Sequence, residues 1–349
     1  MQLYTSLVLL LASALSVPIV AVPVSSSNIN TQIARGTLSL PVQVIHEFPL
    51  GTFVENLAVR RNGQILVTLG TAPELYQVDP LQLHAPILIH TFSNATDLTG
   101  IVEVDPDVFY VAAGKFNIKT LQSVPGSYSI YKVDMNAFSP SPHITAAITK
   151  VADFPDSVFL NGLTLLDPEA SLILIADSGA GTVLRLHVRT GEIRKVLEDP
   201  LMKPSSIPAA GVNGIKIRDG VLFWTNTNAE TFNRIPIHPD GTATGAGSTV
   251  ASGIAGDDFV FNKRGDAFIA QNGRIDLVLL ESKRGNEMII AGSPDSTSLA
   301  GPSACQFGRT LFDKDSLYVT TDGGIAQYIT GNFTIGGMVS RIDVGKAGY

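Results

Sequence analysis

The sequence predicts an all-β protein, a six-bladed β-propeller with four-stranded blades closed by an N-terminal strand. Three observations predict it. First, a small or polar residue followed by a short apolar run, a turn and a second β-rich run occurs six times. The copies begin at Glu55 (ENLAV), Thr99 (TGIVEV), Asn161 (NGLTLL), Asn213 (NGIKI), Asp257 (DDFVF) and Ser303 (SACQF). Second, their starts lie 44–62 residues apart, the spacing of four-stranded propeller units. Third, no 3.6-residue apolar periodicity runs beyond a turn or two, so helices are not expected as major elements.

Residues 1–22 read as a secretory signal peptide. Leu7–Leu15 is its apolar centre and Ala21-Val22 lies near a small-residue cleavage zone. Ser13, Ser16 and Pro18 interrupt the apolar stretch, which argues against a membrane anchor. The expected location is the secretory pathway or outside the cell, with no membrane association after removal of the signal. Two N-x-[ST] sequons, at Asn94 and Asn332, suit such passage as glycosylation acceptors. Residues 23–40 are polar and aperiodic, a leader segment, and the propeller is expected over residues 41–349.

Pro41–Phe48 is β-rich but precedes the first copy and has no blade of its own. Met338–Val344 reads as the third strand of the sixth copy and lacks an outer neighbour. Pairing the two closes the ring and covers two open edges. The fourth copy shows the plan in full, with strands at Asn213–Ile217, Val221–Thr225, Phe232–Ile237 and Thr249–Ser252. Between them lie Arg218-Asp219-Gly220 and Pro239-Asp240-Gly241, where glycine supplies the positive φ of a tight turn.

The 349 residues are 45% hydrophobic and 16% charged, enough for a core and unlike a disordered chain. A net charge of −7 without a basic run argues against nucleic-acid binding. The single cysteine, Cys305, excludes an intramolecular disulfide and reads as a small buried hydrophobe. Oligomeric state is left open.

In a propeller the first strand of each blade lines the central channel, so the six starting residues surround one mouth. The antiparallel second strand returns its end to that mouth. Gly70-Thr71, Gly114-Lys115, Asp177-Ser178, Asn226-Thr227-Asn228, Gln271-Asn272 and Thr321-Asp322 are therefore expected there too. Glu55, Asn161, Asn213 and Asp257 carry carboxylate or amide oxygens, a set suited to a divalent metal. Oxygen-only ligation suits Ca²⁺ better than Zn²⁺ or Mg²⁺. Thr99 and Ser303 complete the ring as weaker ligands or substrate contacts. Trp224, with Phe223, forms either an apolar substrate wall or inter-blade core. Asp177 and Asp258 are loop-tip carboxylates, Lys115 and Asn226 are polar mouth residues, and no motif for an organic cofactor is present.

Four stretches carry a resemblance: NGLTLLDPEASLILIADSGAGTVLRL (161–186), VNGIKIRDGVLFWTNTNAETFNRIPI (212–237), GDDFVFNKRGDAFIA (256–270) and PSACQFGRTLFDKDSLYVTT (302–321). Over residues 41–349 the chain resembles the senescence-marker-protein/gluconolactonase family and its relatives, strictosidine synthase and paraoxonase. The resemblance implies a six-bladed propeller whose metal is held at the positions of Glu55, Asn161, Asn213 and Asp257. It also implies a base role for Asp257 in a lactonase. Departures are the sequence VENLAV around the glutamate and the absence of a histidine pair at the mouth. His46, His84, His90, His143, His187 and His238 fall on outer strands or turns.

In overall character the chain is also similar to the secreted fungal hetero-Diels–Alderases of tropolonic sesquiterpenoid biosynthesis. That likeness implies joining a tropolone o-quinone methide to a humulene-type sesquiterpene, both small apolar substrates. Glu55, Asp257 and Asp258 are then the candidate catalytic carboxyls. A metal or Lys115 would bind the tropolone oxygens, and Thr99, Asn226, Trp224 and Ser303 the rest. A metal-dependent lactonase or esterase and a non-catalytic binding propeller are the alternatives.

Overall fold

The computed structural model describes residues 36–141, 144–206, 208–325 and 335–345. The proposed signal segment, most of the leader, His143 and Asn332 lie outside the described residues. Six four-stranded antiparallel sheets follow one another around an axis, each strand pairing with the next outward one. We number them blades 1 to 6. Their innermost strands are Val54–Val59, Asp97–Asp105, Leu160–Asp167, Val212–Arg218, Phe259–Phe261 and Pro302–Phe307.

Blade 4 matches its expected strands to within a residue, at Val212–Arg218, Val221–Asn226, Thr231–Pro236 and Ser248–Ser252. The closure is as expected too: Gln43–Leu50 pairs antiparallel with Gly336–Asp343 and completes blade 6. The end of the leader differs from expectation. Gly36–Thr37 pairs parallel with the outer strand of blade 5, and Leu38 N–H donates to Ile289 O at 2.8 Å. Leu40 and Val42 pack on the core between blades 5 and 6. A two-residue Gly-Thr pairing is too short to show alternation, which is why it reads as aperiodic.

The cores lie between adjacent sheets. Trp224 is fully buried among Leu174, Leu197, Met202 and Ile215 between blades 3 and 4, and its Nε1–H donates to Leu201 O. It is core, not substrate wall. Cys305 is buried as expected, and burial holds its thiol well above the ordinary range. Among the described residues, no helix is long and apolar enough to cross a membrane. Asn94 is exposed in a turn with φ 66°, in the left-handed region that asparagine tolerates.

Candidate active site

The repeat has a physical cause at the axis. In blades 2, 3 and 4 the starting residue is followed by glycine: Thr99-Gly100, Asn161-Gly162 and Asn213-Gly214. A Cβ on Gly100 would stand 2.4 Å from Asn161 O, and one on Gly162 would stand 2.4 Å from Asn213 O. One on Gly214 would meet Asp257 O at 2.8 Å. Each glycine thus receives the carbonyl of the next blade's starting residue. Side-chain hydroxyls tie the same joints. Thr68 donates to Thr99 O (2.7 Å), Thr99 to Leu160 O (2.9 Å), Thr225 to Asp257 O (2.5 Å) and Ser303 to Val54 O (2.7 Å).

These joints set a cavity of about 360 Å³ at one mouth, within the range of small-molecule sites of about 300–1,000 Å³. Its polar part is Glu55, Asp97, Thr99, Asn161, Asn213, Thr227, Glu230, Asp257 and Asn272. Its apolar part is Phe53, Phe116, Ile118, Leu121, Phe159, Pro208, Ala209, Ala210 and Ala255. Phe116 and Phe159 stack with centroids 5.1 Å apart. Phe159 is held in place by Asp177, whose carboxylate accepts the Val158 and Phe159 amides at 3.0 and 2.9 Å. Asp177 therefore shapes the wall and is not a free loop-tip carboxylate.

Burial, reinforced by neighbouring Asp257, Asp97, Asp258 and Asp322, pushes the Glu55 carboxyl well above its ordinary range. Burial and Asp258 push Asp257 up as well, against a hydrogen bond from Asn213 Nδ2 to its Oδ1 at 2.8 Å. Asn213 Nδ2 also donates to Thr227 Oγ1, whereas Asn213 Oδ1 is buried with no hydrogen-bond partner. Two carboxyls that resist ionisation beside an orphaned amide oxygen fit a divalent cation. Among the described residues, no three His, Cys, Asp or Glu side chains gather as a cage. The amides of Asn161 and Asn213 would have to complete the ligand set.

Without a cation, the folded state keeps protons on Glu55 and Asp257 that the unfolded chain releases near its ordinary carboxylate values. The stabilisation from these groups is full below about pH 4 and is lost as pH rises toward their raised values. Asp257→Asn should therefore melt increasingly above the parent as pH rises from about 4.5 to 8 in chelator. A gap in Tm that does not widen with pH overturns this.

The structure brings Glu55, Thr99, Asn161, Asn213 and Asp257 together around the cavity, with the expected mouth residues Gly70, Thr227 and Asn272, but leaves Lys115, Asp177, Trp224, Asn226, Asp258 and Ser303 outside its lining. Asp258 faces Lys216 and Asn56, with Nζ–Oδ1 at 2.6 Å and Nδ2–Oδ2 at 3.1 Å. Ser303 spends its hydroxyl on Val54 O and Thr320 Oγ1. Asn226 Nδ2 donates to Leu201 O and Lys203 O, fixing a loop. Lys115 is exposed and outside the lining. None of the described histidines lines the cavity.

Sequence reasoning missed Phe53, Asp97, Phe159 and Ala255. Each lies two residues before a repeat start, at or just ahead of the innermost strand of its blade. Carrying the register two residues upstream finds all four.

No protein-family model matches the chain. A protein of Phoma sp. described as "Putative hetero-Diels-Alderase" is 30% identical over 314 residues, covering 82% of this chain and 88% of that protein. The chain belongs to this hetero-Diels–Alderase family. A second member of the same description, from Sarocladium schorii, is 28% identical over 315 residues, 80% of this chain and 78% of its own.

Solved structures share the family's propeller fold. Regucalcin of Agrobacterium tumefaciens, a calcium-binding protein, superposes with a TM-score of 0.61 at 16% identity, over 88% of this chain and 95% of its own. A luciferin-regenerating enzyme gives 0.62 at 12%, over 87% and 95%. These bear out the resemblance to gluconolactonase-type propellers at the level of fold.

Proposed function

We propose that the protein catalyses a hetero-Diels–Alder addition joining a tropolone o-quinone methide to a humulene-type sesquiterpene in the secretory pathway. The observation that carries this reading is the division of the cavity. Its lining divides between aromatic and aliphatic side chains and buried carboxyl and amide groups. The wall suits two apolar reactants held side by side, which supplies the entropic part of the acceleration. The floor suits the heterodiene oxygen, where negative charge grows as the C–O and C–C bonds form. Names of the family members support the reaction class.

The ring residues Glu55, Asn161, Asn213 and Asp257 would hold a Ca²⁺-like cation. Such an ion supplies Lewis-acid stabilisation of an oxygen. The chain's own groups orient the reactants and exclude water. Residues 1–22 as a signal peptide, and Asn94 and Asn332 as glycan acceptors, complete the proposal.

Purified protein added to an o-quinone methide generated in the presence of humulenol should raise the rate and fix the stereochemistry of the adduct. Asp257→Ala should cut that rate by about a hundredfold. An unchanged product mixture rejects the reading. The orphaned Asn213 Oδ1 also favours a second reading, metal-dependent lactone hydrolysis. It expects turnover of lactones that chelator abolishes and Ca²⁺ restores, and turnover surviving both chelator and Asp257→Ala rejects it.

A further inference from the structure

At the end of the propeller away from the cavity, two turns present large apolar side chains to solvent. Blade 6's inner strand runs from the mouth at Pro302 to Phe307, so the turn that follows it, residues 308–315, lies at the far end. In that turn Leu311 and Phe312 are 86% and 92% exposed. Blade 1's third strand, Glu74–Val78, runs in the same direction as its inner strand. The turn after it holds Leu81 and Leu83, 68% and 72% exposed. These four are the most exposed large hydrophobic residues among the described ones. Both turns meet blade 1's inner turn. Thr310 Cγ2 would stand 2.9 Å from a Cβ on Gly63, and Gln64 Nε2 donates to Asp79 Oδ1 at 3.1 Å.

The same device holds each turn. Asp313 and Asp79 are both buried. Asp313 Oδ1 accepts the Thr310 amide and hydroxyl, both at 2.7 Å, and its Oδ2 accepts the Tyr318 hydroxyl at 3.0 Å. Asp79 accepts the Leu81 and Leu83 amides at 3.1 and 3.2 Å. A buried carboxylate thus fixes the backbone of each turn while its apolar side chains stand outward. Cations flank the tips. A cavity beside Leu311 is lined by Lys263, Arg264, Arg309 and Lys314, with Asp315 its single carboxylate. Arg264 and Arg309 pair with Asp266 and Glu103. Lys263, Lys314 and Arg61 of blade 1's inner turn are exposed and have no ion-pair partner among the described residues. This basic end belongs to a chain of net charge −7.

We propose that this end of the propeller docks on an anionic lipid surface. Leu81, Leu83, Leu311 and Phe312 enter the acyl boundary, and Arg61, Lys263 and Lys314 meet the headgroup phosphates. Projecting tips suit a fluid bilayer better than a protein partner. A stable protein interface needs about 800 Å² of complementary surface on each side. Interfacial membrane binding grows instead with the apolar area inserted and with the attraction of nearby cations to anionic lipid. The mouth then faces away from the bilayer. The proposal departs from the sequence-based expectation of no membrane association, because only closure of the ring sets blade 6's tip beside blade 1's. It goes beyond the reaction proposed above and does not depend on it.

Sedimentation of the full chain with vesicles tests it, with equal parts of phosphatidylcholine and phosphatidylserine against phosphatidylcholine alone. The parent should bind the mixed vesicles more tightly, and salt should weaken that preference. Leu311→Ser/Phe312→Ser should weaken binding about tenfold. Lys263→Gln/Lys314→Gln should weaken binding to the mixed vesicles about fivefold for each residue. The substituted side chains are exposed, so each variant should melt with the parent. Phe312→Trp adds one indole to the single buried Trp224. Its emission should shift to the blue on mixed vesicles and be quenched by brominated lipid.

The variants share every other residue, so a difference between them reports the tips. Failure of the parent to bind, equal binding by the parent and Leu311→Ser/Phe312→Ser, or emission from Phe312→Trp that mixed vesicles do not move overturns the inference. Self-association in analytical ultracentrifugation that Leu311→Ser/Phe312→Ser abolishes, without vesicle binding, assigns the tips to a second copy of the chain and overturns it too.

Discussion

Lys216→Met should lower the free energy of unfolding by about 3–5 kcal/mol, measured by denaturant titration. Lys216 Nζ lies 2.6 Å from Asp258 Oδ1, and the two side chains are only 16% and 6% exposed. Asp258 also accepts Asn56 Nδ2 at 3.1 Å and the Phe259 amide at 2.7 Å. Lys216 sits 5.5 Å from the centre of the Phe259 ring. The cluster joins blades 1, 4 and 5, so its loss is felt across the ring. Removing the ammonium leaves the carboxylate buried among acidic neighbours with two neutral donors, which do not replace a full charge. The double variant Lys216→Met/Asp258→Leu removes both charges and should recover most of the loss, because an apolar pair of similar volume carries no desolvation penalty. The cycle then gives the coupling between the two residues. A single variant that costs less than about 1 kcal/mol, the figure for a surface pair, would show that water reaches the cluster.

The propeller was legible because the constraint that makes it repeats. Each blade must re-enter a crowded axis, so Thr99-Gly100, Asn161-Gly162 and Asn213-Gly214 recur in register with Glu55, Asp257 and Ser303. The strand Gln43–Leu50 was findable because Gly336–Asp343 otherwise exposes an edge. The floor of the cavity followed from the same register.

Much of the apolar wall did not. Phe116, Ile118 and Leu121 lie on a small arm of blade 2, whose paired segments are Phe116–Asn117 and Gln122–Ser123. That insertion is what stretches the second spacing to its long value, a visible anomaly whose content was not. Asp97 was missed because blade 2's inner strand starts two residues before the repeat and carries an irregularity between Leu98 and Ile101. Trp224 was left between wall and core because strand alternation gives a face but not which neighbouring sheet covers it. The burial of Asp258 and Ser303 likewise depends on partners from other blades, Lys216 and Val54, far away in sequence.

Gly162→Ala should destabilise the protein by about 2–3 kcal/mol and cut any turnover at the cavity by about a hundredfold. The added Cβ would stand 2.4 Å from Asn213 O, 3.0 Å from Gly214 Cα and 3.0 Å from Ile215 N. All three are backbone atoms, so no rotamer change relieves the clash. Blades 3 and 4 must part by roughly 1 Å to reach ordinary contact, a displacement of the size that costs about a hundredfold when it misplaces a reacting group. That motion presses Asn213 toward blade 5 and disturbs its 2.8 Å contact with Asp257 Oδ1. Asn161, the residue before Gly162, moves the opposite way, so the floor opens between two of its four members. Gly245→Ala is the matched control, since its Cβ would meet only Pro236 Cγ at 3.7 Å, an ordinary contact. It should change neither stability nor turnover. If Gly162→Ala melts with the parent and turns over equally, the carbonyl-to-glycine joints do not set the ring. If it melts early but turns over normally at low temperature, the joints serve stability alone.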